Sequence, residues 1–460
     1  MADEEDNRVR SLSDLPDNVL GRVLSFLPTQ EASRTSILSK SWRYLWSLTP
    51  NLDLDDQRAY NPNNYLTHST NLLFLNYVER SISLRKFTKS FHLKFSIYDD
   101  RSNRHDVSSL ESWITGLVKR NVEAVSLSLH IHRRVISIDF PDCFLSCKTL
   151  VDFEIESTKA GALVIYIPEP LRPSMCFSSL KTLSFINVTF TNEDSTNQLF
   201  SSCPVLEELT LNQCRWWDIK ALNVLAPKLL RLTIIEPAYN ANEPEEFRNC
   251  RIAVLGTNLM HFKYEGIFRH EYYLCNSPSL DKACIEGFPK VLEHGYYRLY
   301  RILRCISNLK DLEIRLVPKV EEQDLYNMPM FKNVTRLHIL SRVKGNGLMK
   351  ILQNSPSLSE ILIFYEGIYL PFDIESLPLC LSHLKNIEFR VYGNEIITSE
   401  NAFKYLLENA FVLKKMIISF YWTGSLTSFS GDEENFRKYI LELPRRSKDC
   451  EVYVSFFISW

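Results

Sequence analysis

A short apolar motif that recurs along most of this chain constrains its fold more than any other feature. Six clear copies read SLKTLSF, VLEELTL, KLLRLTI, NLKDLEI, SLSEILI and HLKNIEF, beginning at Ser179, Val205, Lys228, Asn308, Ser357 and His383. At the end of each copy, apolar residues occupy alternate positions, which indicates a β-strand with one buried face. A chain of this kind must therefore bury many similar strands beside one another.

The spacing of the motif predicts the architecture. Its first apolar positions lie 21 to 30 residues apart, at Leu150, Leu180, Leu206, Leu229, Leu259, Leu280, Leu309, Val334, Leu358, Leu384 and Leu413. That period is typical of leucine-rich repeats, in which a strand is followed by a return segment. Since one unit cannot bury its own apolar face, neighbouring units stack into a parallel sheet. We therefore expect an α/β solenoid, a horseshoe with a parallel inner sheet, across roughly residues 85 to 420.

Two further features of the repeats bear on structure and binding. Prolines just before the next strand, at Pro204, Pro278 and Pro356, predict that a return helix ends there. Side chains between the inward positions would line the concave face and meet a partner. The residues predicted to contact a protein substrate are Glu208, Arg231, Lys263, Asp311, Glu313, Arg315, Arg336 and Glu360. Their mixed charges suit a protein ligand of complementary charge better than a polyanion.

The segment from Leu12 to Leu52 has a different pattern, that of a small helical module. Pro16 suits a helix start, Pro28 ends that helix, and the apolar residues between them recur at helical spacing. Thr29 and Ser39 are the predicted N-caps of a second and a third helix. Because about forty residues are too few to bury so many large apolar side chains, an external partner is expected. The alternative is a self-contained helical cap on a larger fold.

The ordered runs LPDNVLGRVLSFLPT, SILSKSWRYLW and PNLDLD in this module resemble the F-box of plant F-box proteins. In that family the apolar helices pack on a Skp-family adaptor, which joins the protein to the cullin and RING subunits of a ubiquitin ligase. Ser41 departs from the basic residue often found at its position. The resemblance implies adaptor-binding roles for Leu15, Pro16, Leu20, Val23, Leu24, Leu27, Leu38 and Trp42.

The C-terminal segment resembles the FBD region found at the end of many plant F-box and leucine-rich-repeat proteins. The resemblance rests on PLCLSHLKNIEFRVYG, NAFKYLLENAFVLKKMIIS and FRKYILELPRRSKDCEVYVSF. Apolar spacing predicts a helix with Phe403, Leu406 and Leu407 on one face, and a second helix at 436–443. Strands are predicted at Leu413 to Ile418 and Val452 to Phe456. Because a repeat array needs an end that shields its last open core face, we expect a structural cap.

These patterns predict an acidic tail at 1–10, an F-box at 11–55, a solenoid at 56–377 and an FBD region at 378–460. A net charge of −2, from 53 basic and 55 acidic residues, argues against general binding to nucleic acid or to anionic membranes. The N-terminus lacks the apolar core of a signal peptide, and no run approaches the ~20 apolar residues of a membrane span. We therefore expect a soluble intracellular protein, in the nucleus or the cytoplasm.

Neither a cofactor nor a catalytic site is predicted. The eleven cysteines are expected to be reduced and mostly buried. His130 and His132 on a strand, with Cys143 and Cys147 on a helix, could offer four ligands, but their spacing matches no common zinc module. Motifs of serine hydrolases, zinc proteases and phosphate-binding loops are missing, and neighbouring carboxylates point apart rather than converging.

Three functions remain open from the sequence. The first is a non-catalytic substrate-recognition subunit of a cullin ubiquitin ligase, in which proximity of substrate and ubiquitin carrier supplies the rate. The second is an F-box protein whose solenoid is a binding scaffold and does not lead to degradation. The third is a small-molecule receptor, which would need a basic pocket for a polyphosphate cofactor. No clustered basic set lies on the predicted concave strands, so this third function has the least support.

Overall fold

The structure is a computed structural model. It describes residues 12, 15–56, 68–97, 104–132, 135–158, 163–167, 176–238, 249–275, 277–317, 322–343, 347–365, 378–392, 400–422 and 432–458. The chain divides into two compact units between Ile219 and Lys220. Each unit has its own arrangement of parallel strands and helices.

The first unit begins with a helical module. Helix α1 spans Asp17–Leu24 and helix α2 spans Thr29–Arg34. Two 3₁₀ segments follow, at Thr35–Ile37 and Ser41–Leu48. The third predicted helix therefore exists as 3₁₀ turns rather than as an α-helix.

Prolines define the helix starts of this module more strongly than the predicted caps do. Pro16 and Pro28 immediately precede α1 and α2, because their constrained φ and missing N–H suit that place. The prediction of Thr29 as an N-cap is wrong, since Thr29 is the first helical residue. Its Oγ1 instead accepts a hydrogen bond from the amide of Asp53 at 2.8 Å. Ser39 caps no helix either, and its hydroxyl is 2.7 Å from that of Ser41.

The rest of the first unit forms two layers of parallel strands. Its elements are β1 (Asn51–Asp55), α3 (His68–Ser83), β2 (Ser90–Ile97), α4 (Arg104–Val118), β3 (Ala124–Ile131), β4 (Ile136–Asp139), α5 (Asp142–Leu145), β5 (Asp152–Ser157), β6 (Leu163–Tyr166), β7 (Thr182–Ile186), β8 (Val188–Phe190), α6 (Glu193–Ser201), β9 (Glu208–Asn212) and β10 (Arg215–Trp216). The main sheet has the order β1-β2-β3-β5-β7-β9, and a smaller sheet has the order β10-β8-β6-β4.

The second unit repeats this plan. Its elements are β11 (Ala221–Leu225), β12 (Arg231–Ile235), β13 (Arg251–Leu255), β14 (His261–Gly266), β15 (Glu271–Cys275), β16 (Lys282–Gly287), α7 (Gly295–Cys305), β17 (Asp311–Leu316), a 3₁₀ turn (Glu322–Leu325), β18 (Arg336–Val343), α8 (Gly347–Gln353), β19 (Glu360–Tyr365), a 3₁₀ turn (Leu379–Ser382), β20 (Asn386–Tyr392), α9 (Glu400–Asn409), β21 (Lys415–Trp422), α10 (Asp432–Glu442) and β22 (Glu451–Ile458). The main sheet has the order β12-β14-β16-β17-β18-β19-β20-β21-β22, and the smaller one β11-β13-β15.

The apolar motif forms the core in both units, as predicted. Its eleven first positions are all buried, from 0% exposed at Leu150 to 8% at Leu280. Within the strands the predicted inward residues are buried as well, including Leu183, Phe185 and Leu209. The alternation of the motif therefore sets which side of each main sheet packs against the return segments.

The return segments differ from the prediction at one of the three prolines. Pro204 and Pro356 do follow helices, α6 and α8. Pro278 follows strand β15 instead, so a helix was wrongly predicted before it. In β15 the buried residues Tyr272 and Leu274 alternate with more exposed neighbours, which is a strand pattern. The two smaller sheets are built from return strands of this kind.

The C-terminal region continues the main sheet of the second unit. Strand β20 pairs in parallel with β19 from Glu360↔Asn386 to Tyr365↔Val391. The predicted helix face of Phe403, Leu406 and Leu407 is buried. The region adds three strands and ends on β22, whose inward side chains are only half-buried. It therefore extends the sheet, and β22 is the last strand of the sheet among the described residues.

Candidate adaptor-binding and partner-binding surfaces

The helical module carries a large exposed apolar surface. Phe26, Ile37 and Leu38 are 83%, 86% and 66% exposed. The other exposed apolar side chains of the described module are Leu12, Leu15, Val19, Val23, Leu27, Tyr44 and Leu48. A monomeric protein rarely leaves so many large apolar groups of one small module in water, so the surface is suited to a protein partner.

The predicted adaptor-binding residues divide into two groups. Leu15, Pro16, Val23, Leu27 and Leu38 are exposed, and they remain candidates for direct contact. The other three, Leu20, Leu24 and Trp42, are buried with Ala32, Leu45 and Trp46 in the core of the module. These three side chains are buried in the chain by itself, and their role in adaptor binding stays a prediction.

The physical reason for the division lies in helix α1. Its apolar residues cover more than one face, so the helix packs one stripe inward and presents another to solvent. Leu20 and Leu24 share the inward stripe, whereas Val19 and Val23 lie on the outward one. Leu27, in the turn after the helix, is exposed as well. A role of the buried stripe in adaptor binding would be indirect, through the shape of the module.

A buried arginine joins the module to the first repeat. Arg85, which follows α3, is 2% exposed and lies with its guanidinium 4.9 Å from the ring centre of Trp46. It donates hydrogen bonds to the carbonyls of Ser81 and Trp46, at 2.9 and 3.2 Å, and to Thr49 Oγ1 at 3.2 Å. Burial lowers the pKa of Arg85 to about 10. Charge-assisted hydrogen bonds thus connect the module to the end of α3.

A cleft of about 620 Å³ lies between the module and the sheet of the first unit. The loop between α1 and α2 forms one wall with Phe26 and Pro28. Strands β1, β2, β3 and β5 form the other wall, which carries Asp53, Glu154 and Glu156. Sequence reasoning missed these three carboxylates. The available signal was the alternation of acidic and buried residues in NLDLD and DFEIES.

Seryl hydroxyls on the neighbouring strand orient two of these carboxylates. Ser126 donates to Glu154 at 3.3 Å and Ser128 to Glu156 at 3.0 Å. Lys94 is the lysine that lines the same cleft among the residues the structure describes. A cleft with three carboxylates and one lysine favours a partner segment with basic side chains.

In the second unit, strand register brings most of the predicted substrate-contacting residues onto one sheet face. Arg231, Asp311, Arg336 and Glu360 lie in one row across paired strands. Lys263, Glu313 and Arg315 lie in the adjoining rows of the same face. Glu208 belongs to β9 of the first unit, so the structure does not group it with the others.

Ion pairs within this face occupy several of the predicted residues. Asp311 is only 7% exposed, and its Oδ2 lies 3.1 Å from Arg336 Nη2 and 3.9 Å from Lys282 Nζ. Arg315 Nη1 lies 3.3 Å from Glu286 Oε1. Two flanking cations therefore cover the carboxylate of Asp311, and its contact with a substrate stays a prediction. Arg231, Lys263, Glu313 and Glu360 stay predictions.

The candidate metal ligands are not grouped into a site, and the two cysteines lie beside threonine hydroxyls. Cys143 Sγ lies 3.8 Å from Thr115 Oγ1, and Cys147 Sγ lies 3.4 Å from Thr149 Oγ1. Burial, and then the neighbouring imidazole of His130, lower the pKa of His132. Across the described ranges, no three His, Cys, Asp or Glu residues are grouped to hold a metal ion. No helix in those same ranges is both long and apolar enough to cross a membrane.

Comparison with known proteins finds family models that match three parts of the chain. A family model for the leucine-rich-repeat domain of At1g61320/AtMIF1 matches residues 87–358. An F-box model matches residues 12–53 and an FBD model matches residues 374–418. The FBD match covers β20 and the start of β21, and the described helix α10 and strand β22 follow it.

Three relatives are similar to most or all of the chain. The F-box/LRR-repeat protein At4g14103 of Arabidopsis thaliana is 31% identical over 77% of this chain and 91% of its own length. The putative FBD-associated F-box protein At5g56820 is 26% identical over 100% of this chain and 98% of its own length. The F-box/FBD/LRR-repeat protein At5g56420, also from Arabidopsis thaliana, is 26% identical over 96% of this chain and 98% of its own length. The chain therefore belongs to the F-box/leucine-rich-repeat family whose members carry an FBD region.

Proposed function

We propose that this protein is a substrate-recognition subunit of a Skp–cullin–F-box ubiquitin ligase. The F-box would dock on a Skp-family adaptor, and through it on the cullin and RING subunits, while the sheet faces bind a protein substrate. F-box/LRR proteins are generally substrate adaptors of this kind and are generally non-catalytic. The observation that carries the proposal is the exposed apolar surface of the matched F-box, centred on Phe26, Ile37 and Leu38.

The chain would contribute position rather than chemistry. Holding a substrate lysine near the charged ubiquitin carrier raises their effective concentration, which is how a non-catalytic scaffold accelerates transfer. Such a role needs a firm connection between the docking module and the binding face. The buried contacts of Arg85 with Trp46 and Thr49 support a connection of that kind in the first unit.

The two sheet faces suggest different substrate features. In the first unit, the cleft with Asp53, Glu154 and Glu156 favours basic side chains next to an aromatic contact at Phe26. In the second unit, paired charges of both signs favour a polar protein surface, on which Arg231 and Lys263 are exposed. We propose that the substrate is a folded protein with a basic segment.

Adaptor binding can be tested without disturbing the core. Ile37→Asp combined with Leu38→Asp places two charges on exposed positions, so the fold should stay intact while the adaptor is lost from a co-purification. Leu379→Asp is the matched control, because Leu379 is 75% exposed and belongs to the other unit. Normal adaptor binding by the double variant, with an unchanged circular dichroism melt, would contradict the proposal.

Ligase activity is the second readout. A reconstituted complex of the chain, adaptor, cullin and RING subunit should modify a captured substrate, and omission of the chain should stop the reaction. If substrates bind but are never ubiquitinated, the chain is a binding scaffold instead. Glu154→Lys with Glu156→Lys should reduce capture of basic substrates while leaving adaptor binding unchanged.

A further inference from the structure

Strand β22 is an unprotected sheet edge. It pairs with β21 over its whole length, from Lys415↔Glu451 to Trp422↔Ile458, and the described residues place no strand on its other side. Native proteins usually blunt such edges with short strands, bulges, lysine or proline. β22 has eight residues in continuous register, reads EVYVSFFI, and contains neither lysine, arginine nor proline.

The backbone direction shows which groups the edge offers. The amide of Glu451 donates to the carbonyl of Lys414 at 2.8 Å, so the backbone of Glu451 faces β21. Because backbone groups alternate in direction along a strand, Tyr453, Ser455 and Phe457 also face β21. The amides and carbonyls of Val452, Val454, Phe456 and Ile458 therefore point away from the sheet.

The side chains of β22 contact β21 and helix α10, but no described strand covers them on the other side. On the outer face, Tyr453 and Phe457 are each 47% exposed, and Phe457 stacks on Tyr421 with ring centres 5.2 Å apart. On the core face, Val454 is half-buried, whereas Ile418, its paired residue in β21, is 0% exposed. One more strand would cover both faces to the degree found inside the sheet.

We propose that a second copy of this chain occupies the edge, with β22 of the two copies paired antiparallel about a two-fold axis at Ser455. This register uses all the outward backbone groups from Val452 to Ile458. It places Val454 opposite Phe456 of the second copy on the core face. On the outer face it places Tyr453 opposite Phe457 of the second copy.

The composition of β22 favours its own copy as the occupant. Each residue type finds a compatible one across the axis: aliphatic groups meet aliphatic or aromatic groups, and aromatic groups meet each other. The one charged residue of the strand is Glu451, which lies away from the axis, so no like charges face each other. Helix α10 packs beside β22.

The test is the molar mass of the full chain by light scattering, from about 1 to 100 µM, a range that brackets weak and stable dimers. The wild type should approach twice 53.7 kDa. Val454→Pro removes an outward amide that the fold does not use, and proline is tolerated at an edge of this kind. It should weaken dimerisation at least about tenfold. Val454→Ala is the matched control, since it removes the same side chain but keeps the amide, and it should remain dimeric.

Two results would overturn the proposal. One is a wild-type chain that stays at 53.7 kDa over the whole range, which would leave the edge to an extended segment of another protein. The other is a Val454→Pro variant that self-associates like the wild type, as would happen if the exposed F-box surface joined the copies. If Val454→Pro fails to fold, Tyr453→Lys with Phe457→Lys replaces it, because lysines would then face each other across the axis.

Discussion

Replacing Glu236 should destabilise the second unit strongly. The side chain is 6% exposed and is enclosed by the loop between β14 and β15. Its Oε2 accepts a hydrogen bond from the amide of Ile267 at 3.0 Å, and the amide of Arg269 lies 3.0 Å from both carboxylate oxygens. Its Oε1 also accepts from the amide of His270 at 3.2 Å and from the hydroxyl of Tyr272 at 2.9 Å. One carboxylate thus satisfies four buried donors.

The expected loss of stability follows from the number of those donors. Glu236→Ala leaves these four donors without an acceptor. Each buried donor without an acceptor costs about 1 to 3 kcal/mol, so the free energy of unfolding should fall by at least about 4 kcal/mol. Phe268, in the middle of the loop, has a φ of 58°, in the left-handed region that side chains disfavour. The carboxylate therefore also holds a conformation that the loop would not adopt alone. In a unit of this size, each kcal/mol of lost stability lowers the Tm by about 2 to 4 °C, so a loss of about 4 kcal/mol should lower it by about 8 to 16 °C.

The assay is thermal and urea unfolding of the full chain, followed by circular dichroism and tyrosine fluorescence. Glu265→Ala is the control, since Glu265 is on β14 with a half-exposed side chain 3.7 Å from Lys263. A surface pair of this kind contributes at most about 1 kcal/mol. If Glu236→Ala and Glu265→Ala shift the transition equally, the carboxylate does not hold the loop and the reasoning is refuted.

Three further predictions concern buried groups. Burial and nearby arginines lower the pKa of His270 from 6.5 to about 3, so the unfolded chain binds the extra proton and stability falls as pH drops through this interval. His270→Asn should flatten the pH dependence of urea unfolding by up to about 1.4 kcal/mol per pH unit, and an unchanged slope would contradict this. Leu312→Asp should lower the Tm sharply because Leu312 is 0% exposed, whereas Glu313→Lys on the other face should shift it by under about 2 °C; equal losses would disprove the register. Arg85→Met should speed amide exchange around Trp46 at least about tenfold, and unaltered exchange would show that the arginine does not hold the F-box.

The helices of the F-box show which features local sequence signals can predict and which they cannot. A second helix is present as predicted, although its predicted cap at Thr29 is wrong. Helical spacing and two prolines are enough to predict α1, because both signals act within a few residues. They could not separate Leu20 from Val23, since both lie on an apolar stripe of the same helix. The packing of Leu45 and Trp46 against one side of that stripe makes the distinction, and those residues come from a later turn of the chain.

In the repeats, too, local sequence signals predict some elements and miss others. Strand alternation in a copy such as Leu309 to Ile314 is a local property, so inward and outward residues were predicted correctly. Return strands such as β8 and β10 span only three and two residues, too few to display a period, and were missed. The helix wrongly predicted before Pro278 has another cause: a proline marks the end of a return segment, whether that segment is a helix or, like β15, a strand.

The sequence by itself determined the family, the repeat unit and the face on which each strand residue lies, because these follow from residue spacing along a few consecutive turns or strands. Only the folded chain shows which exposed groups are still free to bind. Asp311 pairs with Arg336 because parallel register sets two repeats side by side, although the residues are 25 apart in the sequence. The edge at β22 likewise follows from strand order. β22 is an edge because no described strand pairs with its other side, and its own residues do not determine this.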